Sequence, residues 1–167
     1  IVWKRDRPKE PNYTSPIILN VDGRDQLFLT GCNLFSSFDP MTGETLWEHR
    51  WNVYLSDVPH ERIGWASVVA APNTDDPSKG RIFAQGVSGY FCCLSAETGA
   101  LEWEKSLHEE YGFLSTYGGR TNFPIVFEDL VIVSGVLVSW GDLATPAHRF
   151  MAFDKQTGSF VWIASTR

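Results

Sequence analysis

The residues of this 167-residue chain that could do chemistry are few and scattered. Cys92 and Cys93 are adjacent thiols; with Cys32 they make three cysteines, an odd number that gives no disulfide framework. If they lie on a strand, alternation sends the pair to opposite faces, so they read as two small buried residues. Trp140, Asp142, His148 and Arg149 share one insert. Together they could form a polar site or pack their loop onto a neighbour, and both readings stay open. Tyr13, Trp65, Arg120 and Asn122 stand just before apolar segments. An aromatic-plus-arginine rim suits a planar anion through stacking and charge, and equally an ordinary polar rim. Asn73, Asp75 and Asp76 offer oxygens of the kind a hard cation takes, but their spacing fits no calcium loop. They read as a solvated loop, and no metal site is expected. The chain has no His-x-x-x-His pair, no Gly-x-Ser-x-Gly elbow, no Walker loop and no Cys-x-x-Cys-His. No catalytic residue is assigned.

What must position these residues is a repeat. The pattern small–x–(Asp/Ser)–x–x–Thr–Gly–x–x–x–Trp occurs three times: Ser37 to Trp47, Cys93 to Trp103 and Ala152 to Trp162. The three tryptophans are spaced by 56 and 59 positions. Val2-Trp3-Lys4 resembles the tail of a further copy, 44 positions before Trp47. Each copy carries the chemistry of a tight hairpin. Asp39 and Asp154 can accept from backbone N–H groups two or three residues ahead. Pro40 suits the second position of a type I turn. Thr42, Thr98 and Thr157 precede Gly43, Gly99 and Gly158, each placed where a left-handed residue closes a bulged turn.

Upstream of each turn lie two more apolar segments. The first set is Ser15–Ile18, Ser67–Val69 and Phe123–Val126; the second is Leu27–Gly31, Ile82–Gly86 and Val131–Gly135. Four strands per repeat predict the blade of a β-propeller. The fold expected is all-β, an arc of about three four-stranded antiparallel blades. In such a disc the link from outer to next inner strand crosses one face, which places Tyr13, Trp65, Arg120 and Asn122 near the channel mouth. The expected boundaries are 1–7 for the tail of a preceding blade, then blades at 8–51, 52–107 and 108–167. The last carries a hairpin insert at 136–149, since Gly135 to Thr157 spans 22 positions against 11 and 12 in the other copies.

The repeat resembles the tryptophan-docking motif of quinoprotein-type propellers, the pyrroloquinoline-quinone (PQQ)-like repeat family. The resemblance covers nearly the whole chain and includes the small first residue, Ser37, Cys93 or Ala152. It implies that Trp47, Trp103 and Trp162 lie between neighbouring blades, each burying an apolar face and keeping one N–H for a carbonyl. It implies a disc of seven or eight blades, of which this chain would be a part. The segment begins inside a repeat and without Met, so the expectation is a piece of a longer chain, covered by the remaining blades or by another protein. The family includes PQQ- and calcium-dependent alcohol and sugar dehydrogenases, some with a disulfide between adjacent cysteines against the quinone, and also quinone-free interaction modules. The family's calcium ligands and catalytic aspartate match no positions here; Asp142 is the one loop aspartate near an aromatic to test.

The functional expectation is therefore a non-catalytic scaffold or binding platform, without cofactor, in the periplasm or outside the cell. The alternative is part of a PQQ- and calcium-dependent dehydrogenase. A net charge of −6 argues against a nucleic-acid partner. The longest apolar stretch, Leu130 to Trp140, is too short to span a bilayer as a helix.

Overall fold

The computed structural model describes residues 1–9, 14–31, 34–50, 68–71, 80–86, 89–114, 124–137 and 147–165. They form three four-stranded antiparallel sheets, each a meander in chain order. Blade 1 holds β1 (Ile17–Val21), β2 (Arg24–Gly31), β3 (Leu34–Phe38) and β4 (Thr45–Arg50). Blade 2 holds β5 (Val69–Ala71), β6 (Arg81–Gln85), β7 (Tyr90–Ser95) and β8 (Leu101–Ser106). A short helix α1 (Leu107–Tyr111) and strand β9 (Phe113–Leu114) lead to blade 3, made of β10 (Ile125–Phe127), β11 (Leu130–Leu137), β12 (Ala147–Asp154) and β13 (Phe160–Ser165).

Sequence alone misses α1 and β9. Ser106 caps the helix: its hydroxyl accepts from Glu109 N–H, while Glu110 accepts from Ser106 N–H. Gly112 ends the helix at φ 65°, a left-handed position that glycine takes without strain. β9 pairs with the far end of β11, Leu114 opposite Val136. Two expected insert positions at each flank, Val136 and Leu137, His148 and Arg149, are thereby strand residues of β11 and β12. The first strands each begin two residues later than expected, and β2 and β11 run longer.

Cross-strand registry shows how the repeat works. In blade 1 a single row runs Ile17, Phe28, Ser37, Trp47 across all four strands. The same row in blade 2 is Val69, Phe83, Cys93, Trp103, and in blade 3 Ile125, Ile132, Ala152, Trp162. Directly opposed residues share a sheet face, so each row is one stripe of side chains. A register shift follows the small residue each time, between Ser37 and Phe38, Cys93 and Leu94, Ala152 and Phe153. It is the bulge that the Thr-Gly turn requires.

The core lies between blades rather than within them. One cluster joins Phe28, Phe35 and Trp47 of blade 1 to Ile82, Ala84, Cys92 and Leu94 of blade 2. A second joins Phe83, Phe91 and Cys93 of blade 2 to Leu107, Phe113, Val131, Val133, Met151 and Phe153. Both faces of blade 2 are thus covered, which explains why Phe83 and Ile82, adjacent in sequence, are both sealed from solvent.

Candidate functional site

The best-defined constellation is a dock, repeated three times. Trp3 Nε1 donates to the Pro40 carbonyl at 3.0 Å, Trp47 Nε1 to Ala96 at 2.8 Å and Trp103 Nε1 to Lys155 at 3.2 Å. Each acceptor follows the Asp or Ser that opens the next turn. The indole then lies flat against that turn's glycine. A Cβ on Gly99 would sit 2.5 Å from Trp47, one on Gly158 2.8 Å from Trp103, and Trp3 closes on Gly43 in the same way. All three glycines have φ of 70°. Glycine is needed twice over, for the left-handed backbone and for the space the ring occupies.

The turns are built to present that carbonyl. The Asp39 carboxylate accepts from Met41 and Thr42 N–H at 2.9 Å, and Asp154 accepts from Gln156 and Thr157 N–H at 3.0 and 2.8 Å. Backbone hydrogen bonds from Thr42 and Met41 hold Asp39 below the ordinary carboxylate range. Burial works to raise Asp154, but the hydrogen bonds from Thr157 and Gln156 outweigh it and the net direction is again down. Ser95 replaces Asp in blade 2, its hydroxyl accepting from Thr98 N–H at 3.3 Å.

Cys92 and Cys93 are reduced and fully buried, one in each inter-blade cluster. Burial, then the neighbouring Glu104 carboxylate, pushes the Cys92 thiol far up; burial, then Glu102, does the same to Cys93. Thiols held neutral are poor nucleophiles and poor metal ligands. Facing opposite ways from an extended strand, the two cannot stack together on a planar ring. Glu102 instead pairs with Arg81, Nε to Oε2 at 2.6 Å, and Glu104 accepts from the Tyr90 hydroxyl. Among the described residues, no group of three or more His, Cys, Asp or Glu gathers as a metal site requires.

Of the positions expected to bind a ligand, Tyr13, Trp65, Arg120, Asn122, Trp140 and Asp142 lie outside the described residues, as do Asn73, Asp75 and Asp76. His148 and Arg149 pair in register with Val136 and Gly135. One buried polar group was missed by sequence reading. Gln85 is 1% exposed, and neither its amide nitrogen nor its oxygen has a hydrogen-bond partner. Pairing in register with Phe91 on β7, it faces the seam between blades 2 and 3. The signal available was its place in the second-strand pattern, where Thr30 and Ser134 stand in the other blades.

With this geometry in view, comparison with known proteins places the chain. Residues 33–167 match a family model described as outer membrane protein assembly factor BamB (PQQ_2). The chain belongs to this family. Among solved structures it is similar to a europium-containing methanol dehydrogenase, at 17% identity and TM-score 0.59, covering 95% of this chain and 25% of that one. Similar too are the quinohemoprotein alcohol dehydrogenases from Comamonas testosteroni and Pseudomonas putida HK5, both at 16% identity and TM-score 0.59, covering 94% of this chain and 21% of each. This PQQ-like chain thus spans a quarter or less of their length, and at such identity the likeness shows the β-propeller fold alone. No curated protein matches it in sequence.

Proposed function

We propose that this chain is a non-catalytic segment of a PQQ-like propeller, acting as a scaffold or binding platform in an exported compartment. One observation carries the reading: the repeat's signature residues are consumed by turn formation and docking. The carboxylates of Asp39 and Asp154 serve their own turns, the indoles of Trp3, Trp47 and Trp103 serve the next turn, and the two described thiols are sealed. Among the described residues, the last blade leaves apolar surface open for recognition. Ile125 and Phe127 are 57% and 59% exposed, and Trp162 is only half-buried. An apolar stripe of that kind is an interaction surface, met by further blades or by another protein. The family's description as an outer-membrane assembly factor supports export. No helix among the described residues is long and apolar enough to cross a membrane.

A dehydrogenase segment is the second reading, favoured by the likeness to a methanol dehydrogenase and two quinohemoprotein alcohol dehydrogenases. Titration with PQQ in calcium, followed by tryptophan quenching and calorimetry, separates the two. The platform reading expects no saturable binding; a one-to-one isotherm at micromolar concentration or tighter would replace it with the enzyme reading.

A further inference from the structure

Blade 1 holds blade 2 in two places, and both grips end on one linked pair of residues. The first is the Trp47 dock, whose indole donates to the Ala96 carbonyl at 2.8 Å. The second comes from the turn between β1 and β2, toward the opposite edge of the same sheet. There the Asp22 carboxylate crosses the seam and accepts from Gly80 N–H at 2.8 Å. Within blade 2, Ala96 N–H donates to the Gly80 carbonyl at 2.8 Å. The path therefore closes: Asp22 holds Gly80, Gly80 holds Ala96, and Ala96 holds Trp47, which belongs to the sheet that carries Asp22.

The residue types fit this path. Asp22 takes a left-handed turn position, φ 52°, that aspartate tolerates. A carboxylate accepting from a backbone N–H makes a stronger bond than a neutral acceptor. Gly80 is packed where no side chain fits: a Cβ there would sit 2.2 Å from the Asp22 carboxylate and 2.5 Å from Val21, which is buried in the same seam. A glycine backbone has the most freedom of any, so the Gly80 carbonyl keeps a fixed place only when its N–H is held as well. The other two docks differ at this point. In blade 3, Lys155 N–H donates to the Asp129 carbonyl at 2.8 Å, and the Lys155 ammonium lies 3.2 Å from the Asp129 carboxylate, so the acceptor residue secures its own tie. The blade 2 counterpart of the Asp22 turn falls within 72–79, outside the described residues. In blade 1 the acceptor is Pro40, which has no N–H to donate, and the Trp3 dock stands without a path of this kind.

We propose that Asp22 is a positioning residue for the Trp47 dock. By holding the Gly80 N–H it fixes the Gly80 carbonyl, which sets Ala96 and so the carbonyl that receives the indole N–H. The seam between blades 1 and 2 then opens as one unit: releasing either grip loosens the other.

The test is hydrogen exchange of the indole N–H groups in the full chain, uniformly ¹⁵N-labelled. Asp22→Ala should speed exchange at Trp47 about tenfold, the loss of one charge-assisted hydrogen bond, and leave Trp103 within about twofold of its native rate. Asp22→Asn keeps an oxygen acceptor without the charge, so its Trp47 rate should fall between those of the native chain and the alanine variant. Trp47→Phe removes the indole N–H and breaks the path at its other end. In that background Asp22→Ala should move the denaturation midpoint by about half or less of its shift in the native background, the signature of coupled sites. If the alanine variant does not fold, Asp22→Asn carries both comparisons with smaller changes in the same direction. A Trp47 indole that exchanges at its native rate in the Asp22 variants would overturn the proposal. So would equal acceleration of Trp47 and Trp103, or equal midpoint shifts in the two backgrounds.

Discussion

Trp47 and Trp162 occupy the same place in the same row, two blades apart, and meet opposite fates. Trp47 is 6% exposed, between Phe28 and Phe35 of its own sheet and the turn of the next. Trp162 stands opposite Ala152 just as Trp47 stands opposite Ser37, yet stays half-buried, at the far end of a row that begins with the exposed Ile125. Within each sheet the two are prepared alike. The difference is the neighbour, which shows that in this fold stability belongs to seams and not to individual blades.

The largest expected effect comes from deleting the indole on each side of the comparison. Trp47→Ala should cost about 3–5 kcal/mol, the range for a buried large aromatic. Trp162→Ala in the same chain should cost well under half as much. Denaturant unfolding measures both, and equal losses would contradict the contrast. Next come the glycines. Gly99→Ala meets both the Trp47 ring and a left-handed backbone, and should cost about 3 kcal/mol or more. Gly23 has φ of 83° but nothing within 4 Å of a Cβ, so Gly23→Ala should cost only the backbone part, about 1 kcal/mol. The gap between the two in thermal melts isolates the dock from the turn.

Gln85 sharpens the picture in the opposite direction. A buried amide with no partner costs on the order of 1–3 kcal/mol, so Gln85→Met, of similar size and apolar, should raise the melting temperature. A fall would show that the amide is engaged in solution. The smallest effect is that of acid on the turns. Asp154 is held below its ordinary value of 3.8, so its contribution is complete above that pH and is lost as pH drops through the folded value. Asp154→Asn should remove this part of the acid dependence while changing stability at pH 7 by less than about 1 kcal/mol, because the side chain is largely solvated.

The docks were legible in the sequence because each part is a residue type with one local job. Aspartate folds the turn, glycine supplies the handedness, and the small residue beneath the ring leaves its space. Helix α1 was legible in principle through Ser106 and Glu109, but five residues carry too little periodicity to stand out beside a strand repeat. His148 and Arg149 read as loop because two polar residues interrupt the apolar alternation. Their place on β12 depends on pairing with β11, a contact across a long hairpin that local pattern does not encode. Gln85 was hidden for the same reason: nothing beside it in sequence says that blade 3 will seal it. The ligand-site candidates rested on links and inserts, where residue order sets no period.

The alternation of the two adjacent cysteines has a practical consequence. Cys92 lies in the core between blades 1 and 2, and Cys93 in the core between blades 2 and 3. One dipeptide therefore carries a separate chemical reporter for each seam. Under pulsed alkylation, the order in which the two sulfurs become labelled gives the order in which the arc comes apart, read from a single peptide by mass spectrometry and with no added probe.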